Sequence, residues 1–81
     1  MLVTVRFFAV LRDIVGCDSK PIELVEGGTA GELWNQLEKE YPQLEPFRAC
    51  RLFAVNCDYA TADHLLQEGD EVAILPPLSG G

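Results

Sequence analysis

The order of apolar patterns along these 81 residues predicts an α+β fold, a mixed sheet of four to five strands covered by one main helix. Three observations carry this. Residues 2–9 alternate, with Val3, Val5, Phe7 and Ala9 on one side and Thr4, Arg6 and Phe8 on the other. Residues 29–41 carry apolar side chains at the helical period. Glu71-Val72-Ala73-Ile74-Leu75 is a short apolar run between Asp70 and Pro76, a length suited to a strand.

The first strand therefore occupies residues 2–9. Val10 to Val15 suits a short helical turn closed by Gly16, and Ile22 to Val25 reads as a second strand paired with the first. Glu26-Gly27-Gly28 is a turn; it lacks the glycine spacing and the Lys-Ser/Thr of a phosphate loop. Thr29 caps the main helix, and Glu32 three residues later completes a capping-box signature. Ala30, Leu33, Trp34, Leu37 and Tyr41 form its buried stripe, so Trp34 is a core residue. Gly31 costs the helix some stability, and Pro42 ends it. Leu52 to Asn56 is a third strand, joined by a tight turn to a short fourth at Cys57-Asp58-Tyr59-Ala60. Glu68-Gly69-Asp70 turns the chain into the last strand. A helix on one face of such a sheet leaves the first and last strands parallel and adjacent at the centre. That is the β-grasp, or ubiquitin-like, arrangement. Residues 1–75 form the domain and 76–81 an extended C-terminal tail.

Composition narrows the function. A chain this short makes one core with little room for an enclosed active site. Thirteen acidic and six basic residues give a net charge of −7, which argues against nucleic acid and anionic membranes and suits a basic protein partner. No apolar run spans a bilayer, and the start does not read as a signal peptide. Cys17, Cys50 and Cys57 form no C-x-x-C pair and His64 is the only histidine, so zinc-ligand spacing is absent. These thiols fit a reduced, cytoplasmic compartment and are expected to be structural or incidental. With neither a catalytic constellation nor a nucleotide loop, the isolated chain is expected to be inactive and to bind no cofactor. ATP would be consumed by a partner.

The last two residues, Gly80 and Gly81, are the sharpest functional signal. Glycine has no Cβ, so a Gly-Gly end enters a slot too narrow for any side chain. A terminal carboxylate presented there accepts a nucleophile once it is activated, for example as an acyl-adenylate. Chance alone places two glycines at a chain end in roughly one sequence in two hundred. The position directly after a terminal strand and Pro76-Pro77 adds weight. The prolines restrict the free tail and lower the entropy lost on insertion. Residues 76–81 span at most about 20 Å when extended.

Strand parity adds a surface. If Val3, Val5 and Phe7 face the helix, Phe8 faces outward; if Val72 and Ile74 face it, so does Leu75. The pair would form an exposed apolar patch at the base of the tail, of the kind that marks an interface. Phe53 joins it or not according to a parity that the sequence leaves open.

Three segments then carry a resemblance along the whole chain: Val5-Arg6-Phe7-Phe8-Ala9 with Leu11-Arg12-Asp13-Ile14-Val15-Gly16, Ala54-Val55-Asn56, and Gly69-Asp70-Glu71-Val72-Ala73 running into Pro76-Pro77-Leu78-Ser79-Gly80-Gly81. The chain resembles the small subunits of molybdopterin synthase, which are ubiquitin-like sulfur carriers. The resemblance implies that Gly81 is adenylated by an enzyme similar to ubiquitin-activating enzymes and converted to a thiocarboxylate. It implies that the tail, Pro76, Pro77, Leu78, Ser79 and Gly80 included, inserts into a large catalytic subunit within a heterotetramer. There sulfur passes to a pterin precursor, two loaded carriers per pterin. Phe8 and Leu75 match residues at the large-subunit contact, Tyr59 falls near another contact position, and Arg12 matches a basic residue that pairs with the activating enzyme. The rival expectations are a carrier for thiamine or tRNA thiolation, a ubiquitin-like modifier that conjugates to lysines, and an interaction module whose tail has no chemistry. Only Lys20 and Lys39 are available for chains built on the protein's own lysines.

Overall fold

A parallel pair of strands from opposite ends of the chain forms the centre of the sheet. In the computed structural model, which describes residues 1–77, β1 (Leu2–Phe7) runs beside β5 (Glu71–Leu75), with Val5 opposite Val72 and Phe7 opposite Ile74. β2 (Ser19–Glu23) adds antiparallel to β1. β3 (Leu52–Val55) adds antiparallel to β5, and β4 (Asp58–Ala60) to β3. The resulting order is β2-β1-β5-β3-β4. The short helix α1 (Ala9–Val15) follows β1, and the main helix α2 (Ala30–Glu40) follows β2. This is the β-grasp arrangement.

Each element has a local cause. The capping box of α2 is formed: the Glu32 amide donates to Thr29 Oγ1 at 3.1 Å, and the Thr29 amide donates to Glu32 Oε1 at 3.0 Å. Ala30, Leu33, Trp34 and Leu37 are buried against Val3, Val5, Phe7, Val72 and Ile74 in one core. Gly31 has a packing reason: a Cβ there would lie 3.1 Å from the Ala62 carbonyl oxygen, which its amide contacts at 2.8 Å. Gly16 closes α1 in the left-handed region at φ 92. Asn56 and Cys57 form the two-residue β3–β4 turn, both at positive φ, the pattern that matches strand twist. Asn56 is tied further: its Nδ2 donates to Asp70, and the Glu71 amide donates to its Oδ1, each at 3.0 Å.

The structure departs from the sequence pattern in three places. Ala9 leaves the inner face of β1, because the chain reverses at φ 53 and starts α1; Leu11 takes the next buried position. β2 begins and ends earlier than its apolar residues suggest. Pro21 is accepted there because β2 is an edge strand, where no ladder donor is needed on the open side. Leu24 stays buried beyond the strand end, while Val25 is exposed. After α2 a 3-10 helix, Pro42–Phe47, carries Leu44 into the core.

Two polar ties fix this frame. Lys20 on β2 donates to Glu40 Oε2 at 3.0 Å and to the Tyr41 hydroxyl at 2.6 Å. Glu38 accepts from the Trp34 indole at 2.9 Å and from two nitrogens of Arg48. Hydrogen bonds from Arg48 hold the Glu38 carboxyl below its usual range, against the opposing effect of desolvation. A carboxylate shifted this way stabilises the fold above its ordinary titration range, and the contribution is lost as pH falls through its folded-state value. E38Q should therefore be less stable than the wild type at neutral pH, and the gap in urea midpoint should close on acidification below about pH 4. A gap that stays constant with pH would mean that the charge of Glu38 is not what stabilises the fold. Phe53, only 3% exposed, gives a packing check: F53A should cost about 3–5 kcal/mol in urea unfolding, and a cost near zero would contradict its place in the core.

Candidate functional site

Alternation divides the sheet into two unlike faces. The inner face holds Val3, Val5, Phe7, Phe53, Val55, Val72 and Ile74, all buried under α2. The outer face carries no helix. Across its middle runs one register row, Arg6 opposite Ala73, Ala73 opposite Ala54, and Ala54 opposite Tyr59. Beyond it lies a second row, in which Leu52 pairs with Leu75. Phe8 follows Phe7 at the same end of the sheet, since Phe7 pairs with Ile74.

These side chains are accessible: Phe8 is 37% exposed, Leu52 38% and Tyr59 75%. Leu75, Ala73 and Ala54 are half-buried. Phe8 is held outward because its backbone is extended as the residue before α1, directly ahead of the reversal at Ala9. The Arg6 guanidinium lies 5.6 Å from the Phe8 ring centroid and supports it from the same face. The central alanines make a low floor, with Arg6 and Tyr59 standing at its two ends. Such a surface suits burial against another protein.

The expected site residues are distributed as follows. Phe8 and Leu75 come together at the root of the tail. Pro76, half-buried, and Pro77, exposed, continue from β5 at that point. Phe53 does not join them: it faces the core, and Leu52 occupies the outer position instead. No sequence signal set this parity, because Leu52, Phe53, Ala54 and Val55 are all apolar; the pairing with β5 does. Tyr59 sits at the far end of the middle row, beside a depression that includes His64, Leu65 and Gln67. Arg12 is on α1, 3.5 Å from Asp18 and 4.0 Å from Asp13, around a separate shallow depression with Gly16 and Cys17. Leu78, Ser79, Gly80 and Gly81 lie outside the described residues.

Among the described residues, no three or more His, Cys, Asp and Glu side chains gather as a metal site, and no helix is long and apolar enough to cross a membrane. The three thiols are free, Cys50 and Cys57 on the surface and Cys17 half-buried.

Comparison with known proteins agrees with this geometry. The human molybdopterin synthase sulfur carrier subunit is 39% identical over 82 residues, covering 98% of this chain and 93% of that protein. A putative molybdopterin converting factor subunit 1 from Pyrococcus furiosus has a TM-score of 0.86 at 30% identity, over 96% of this chain and 99% of that one. A chain in the complex of subunits 1 and 2 of molybdopterin-converting factor from Helicobacter pylori has a TM-score of 0.68 at 26% identity, over the full length of both. The family profile described as the ThiS family matches residues 5–81. With a match over nearly its whole length and a relative well above 30% identity, the chain belongs to the ThiS family.

Proposed function

We propose that this protein is the sulfur carrier, small subunit of a molybdopterin synthase. The observation that carries the proposal is spatial. The chain ends in Gly-Gly, and the strand leading to that end leaves the sheet beside an uncovered apolar face. A partner that covers Phe8, Leu52 and Leu75 is thereby placed to receive the tail.

In this role the Gly81 carboxylate attacks ATP bound by a separate adenylating enzyme, giving the acyl-adenylate and releasing pyrophosphate. Hydrosulfide, delivered by a sulfur donor, then adds to the acyl carbon and AMP leaves, so that sulfur stands on the chain end as a thiocarboxylate. The tail next enters the large subunit, where the sulfur attacks a carbon of a pterin precursor and displaces an oxygen leaving group; water then hydrolyses the resulting thioester, which leaves sulfur on the pterin and restores the Gly81 carboxylate. The domain contributes recognition and reach; the partners contribute ATP, sulfur and the catalytic side chains. A cytoplasmic site of action fits the free thiols and the need for ATP. The assembly is a heterotetramer of two small and two large subunits.

Two outcomes test this. Deletion of Gly81, or addition of one residue after it, should abolish loading while leaving the unfolding curve unchanged. The readout is intact-protein mass spectrometry after incubation with the adenylating enzyme, ATP and a sulfur donor. Wild-type protein should gain the mass of one oxygen-for-sulfur exchange at Gly81. Normal loading of either variant would sink the carrier assignment, and lysine adducts without retained sulfur would favour a conjugating modifier. Independently, F8D should weaken binding to the large subunit by at least about tenfold and leave the fold intact, as measured by calorimetric titration and circular dichroism. Unchanged affinity would move the docking surface away from the outer face.

A further inference from the structure

Arg51 is anomalous in its electrostatics. Its Nε is buried without a hydrogen-bond partner, the one such side-chain atom among the described residues. Its guanidinium packs against two aromatic rings, 5.2 Å from the centroid of Trp34 and 4.9 Å from that of Phe53. Stacking on rings fixes the plane of a guanidinium and strips part of its water. Desolvation accordingly pulls its pKa down, with the charge of Glu38 acting the other way. Arginine remains a cation despite such a shift.

Glu38 is the acid at hand, yet its oxygens are occupied by the Trp34 indole and by Arg48. Among the described residues the ion pairs involve Arg12, Lys20 and Arg48, not Arg51. This is a chain with more than twice as many acidic as basic residues, so acidic groups are plentiful, and the lack of a direct ion pair here is a matter of placement. Partial desolvation with Glu38 near but engaged elsewhere, and no direct ion-pair partner, is costly in the free protein. It is offset if the group meets an acceptor on assembly.

Its location points to that acceptor. Leu52 lies opposite Leu75 in antiparallel register, and one further step brings Arg51 opposite Pro76, the first residue beyond β5. Contact with the Phe53 ring puts the Arg51 side chain on the inner side of the sheet. The root of the tail is thus flanked on its outer side by Phe8, Leu52 and Leu75, while Arg51 stands beside it in register and turns its guanidinium to the inner side, over Phe53 and Trp34. A protein that admits the tail as far as Gly81 has to bring the rim of its channel up to this root. Residues 76–81 reach only about 20 Å, so no slack remains for a rim held far away.

We infer that Arg51 is a partner-binding residue whose guanidinium takes a carboxylate on the rim of the large-subunit channel that receives the tail. The inference rests on the sulfur-carrier assignment. Arg6 is exposed on the outer face and Lys39 on α2, and as hydrated charges they offer a partner less. Arg51 is already partly desolvated and fixed in orientation, so a carboxylate meets a pre-organised fork of donors at little further ordering cost. An acidic rim group facing this cation also sets the rotation of the carrier about its tail, which an apolar face alone does loosely.

The test measures affinity for the cognate large subunit by calorimetric titration at low and high salt. R51M keeps an apolar stem against Trp34 and Phe53 and removes the charge; R51K keeps the charge and removes the fork. R51M should bind at least about tenfold more weakly than the wild type, with a flatter salt dependence, and R51K should fall between. Affinity within about twofold of the wild type for R51M, with an unchanged salt slope, overturns the role of Arg51 while leaving the carrier assignment standing. Should R51M fail to fold, R51K decides, and wild-type affinity there overturns the carboxylate fork. Absence of binding by the wild type, whose loading by mass spectrometry is the separate check, overturns the carrier assignment and this inference together.

Discussion

The parallel pairing of β1 with β5 is the constraint on which the rest of the structure depends. It joins the two ends of the chain at the centre of the sheet, with Val5 against Val72 and Phe7 against Ile74. Because the strands run the same way, the end of β1 and the end of β5 lie at one edge of the domain. Phe8 and the tail root are neighbours for that reason alone. An antiparallel pairing would send the tail out at the opposite end, away from Phe8. Such a contact is non-local and closes a loop of almost the whole chain, at an entropic cost that grows only slowly with length. Burial of Val3, Val5, Val72 and Ile74 against Trp34, Leu33 and Leu37 is the compensation. The central strand is consequently rigid up to Leu75, where a carrier needs a firm base.

A helix covers only one face of the sheet, and the sequence treats the two faces differently. Bulky Phe7, Phe53 and Ile74 point inward. Ala54 and Ala73 point outward and keep the outer face low. The edges of the sheet are blunted, by Pro21 in β2 and by the three-residue length of β4. Edge-to-edge pairing is therefore disfavoured while the outer face stays open, which suits a domain that meets its partners face-on.

Most of the fold was legible because its signals are local and mutually consistent. Thr29 and Glu32 mark the start of α2, the spacing of Ala30, Leu33, Trp34 and Leu37 marks its buried stripe, and the alternation in residues 2–7 marks β1. The features that escaped depend on tertiary context. Ala9 continues an alternating pattern, yet a backbone reversal removes it from the strand. Pro21 hides β2, since its tolerance depends on an edge position set by the finished sheet. Leu44 is a single apolar residue in a segment with no period. Phe53 and Leu52 are both apolar, so only the pairing with β5 assigns one to the core and the other to the outer face. Arg51 reads as an ordinary surface cation until Trp34 and Phe53 are seen against it.

The chemistry assigned to the chain end explains why the domain invests in the tail root. A Gly-Gly terminus gains entry to narrow channels because it lacks side chains, and for the same reason it offers a partner almost nothing to recognise. Discrimination has to be exercised where side chains resume. That place is the ring of residues around Pro76. On the outer side, Phe8, Leu52 and Leu75 supply apolar area, which gives affinity without fixing orientation. On the inner side, Arg51, in the role inferred for it, supplies a directional, charged fork that would fix orientation and reject a partner with a like charge at its rim. Pro76 and Pro77 between them limit the paths the tail can take from the ring into a channel. On the proposed function, a carrier that visits an adenylating enzyme and then a sulfur acceptor with the same few atoms would have this collar to distinguish the two hosts, since the reactive end itself is common to both encounters.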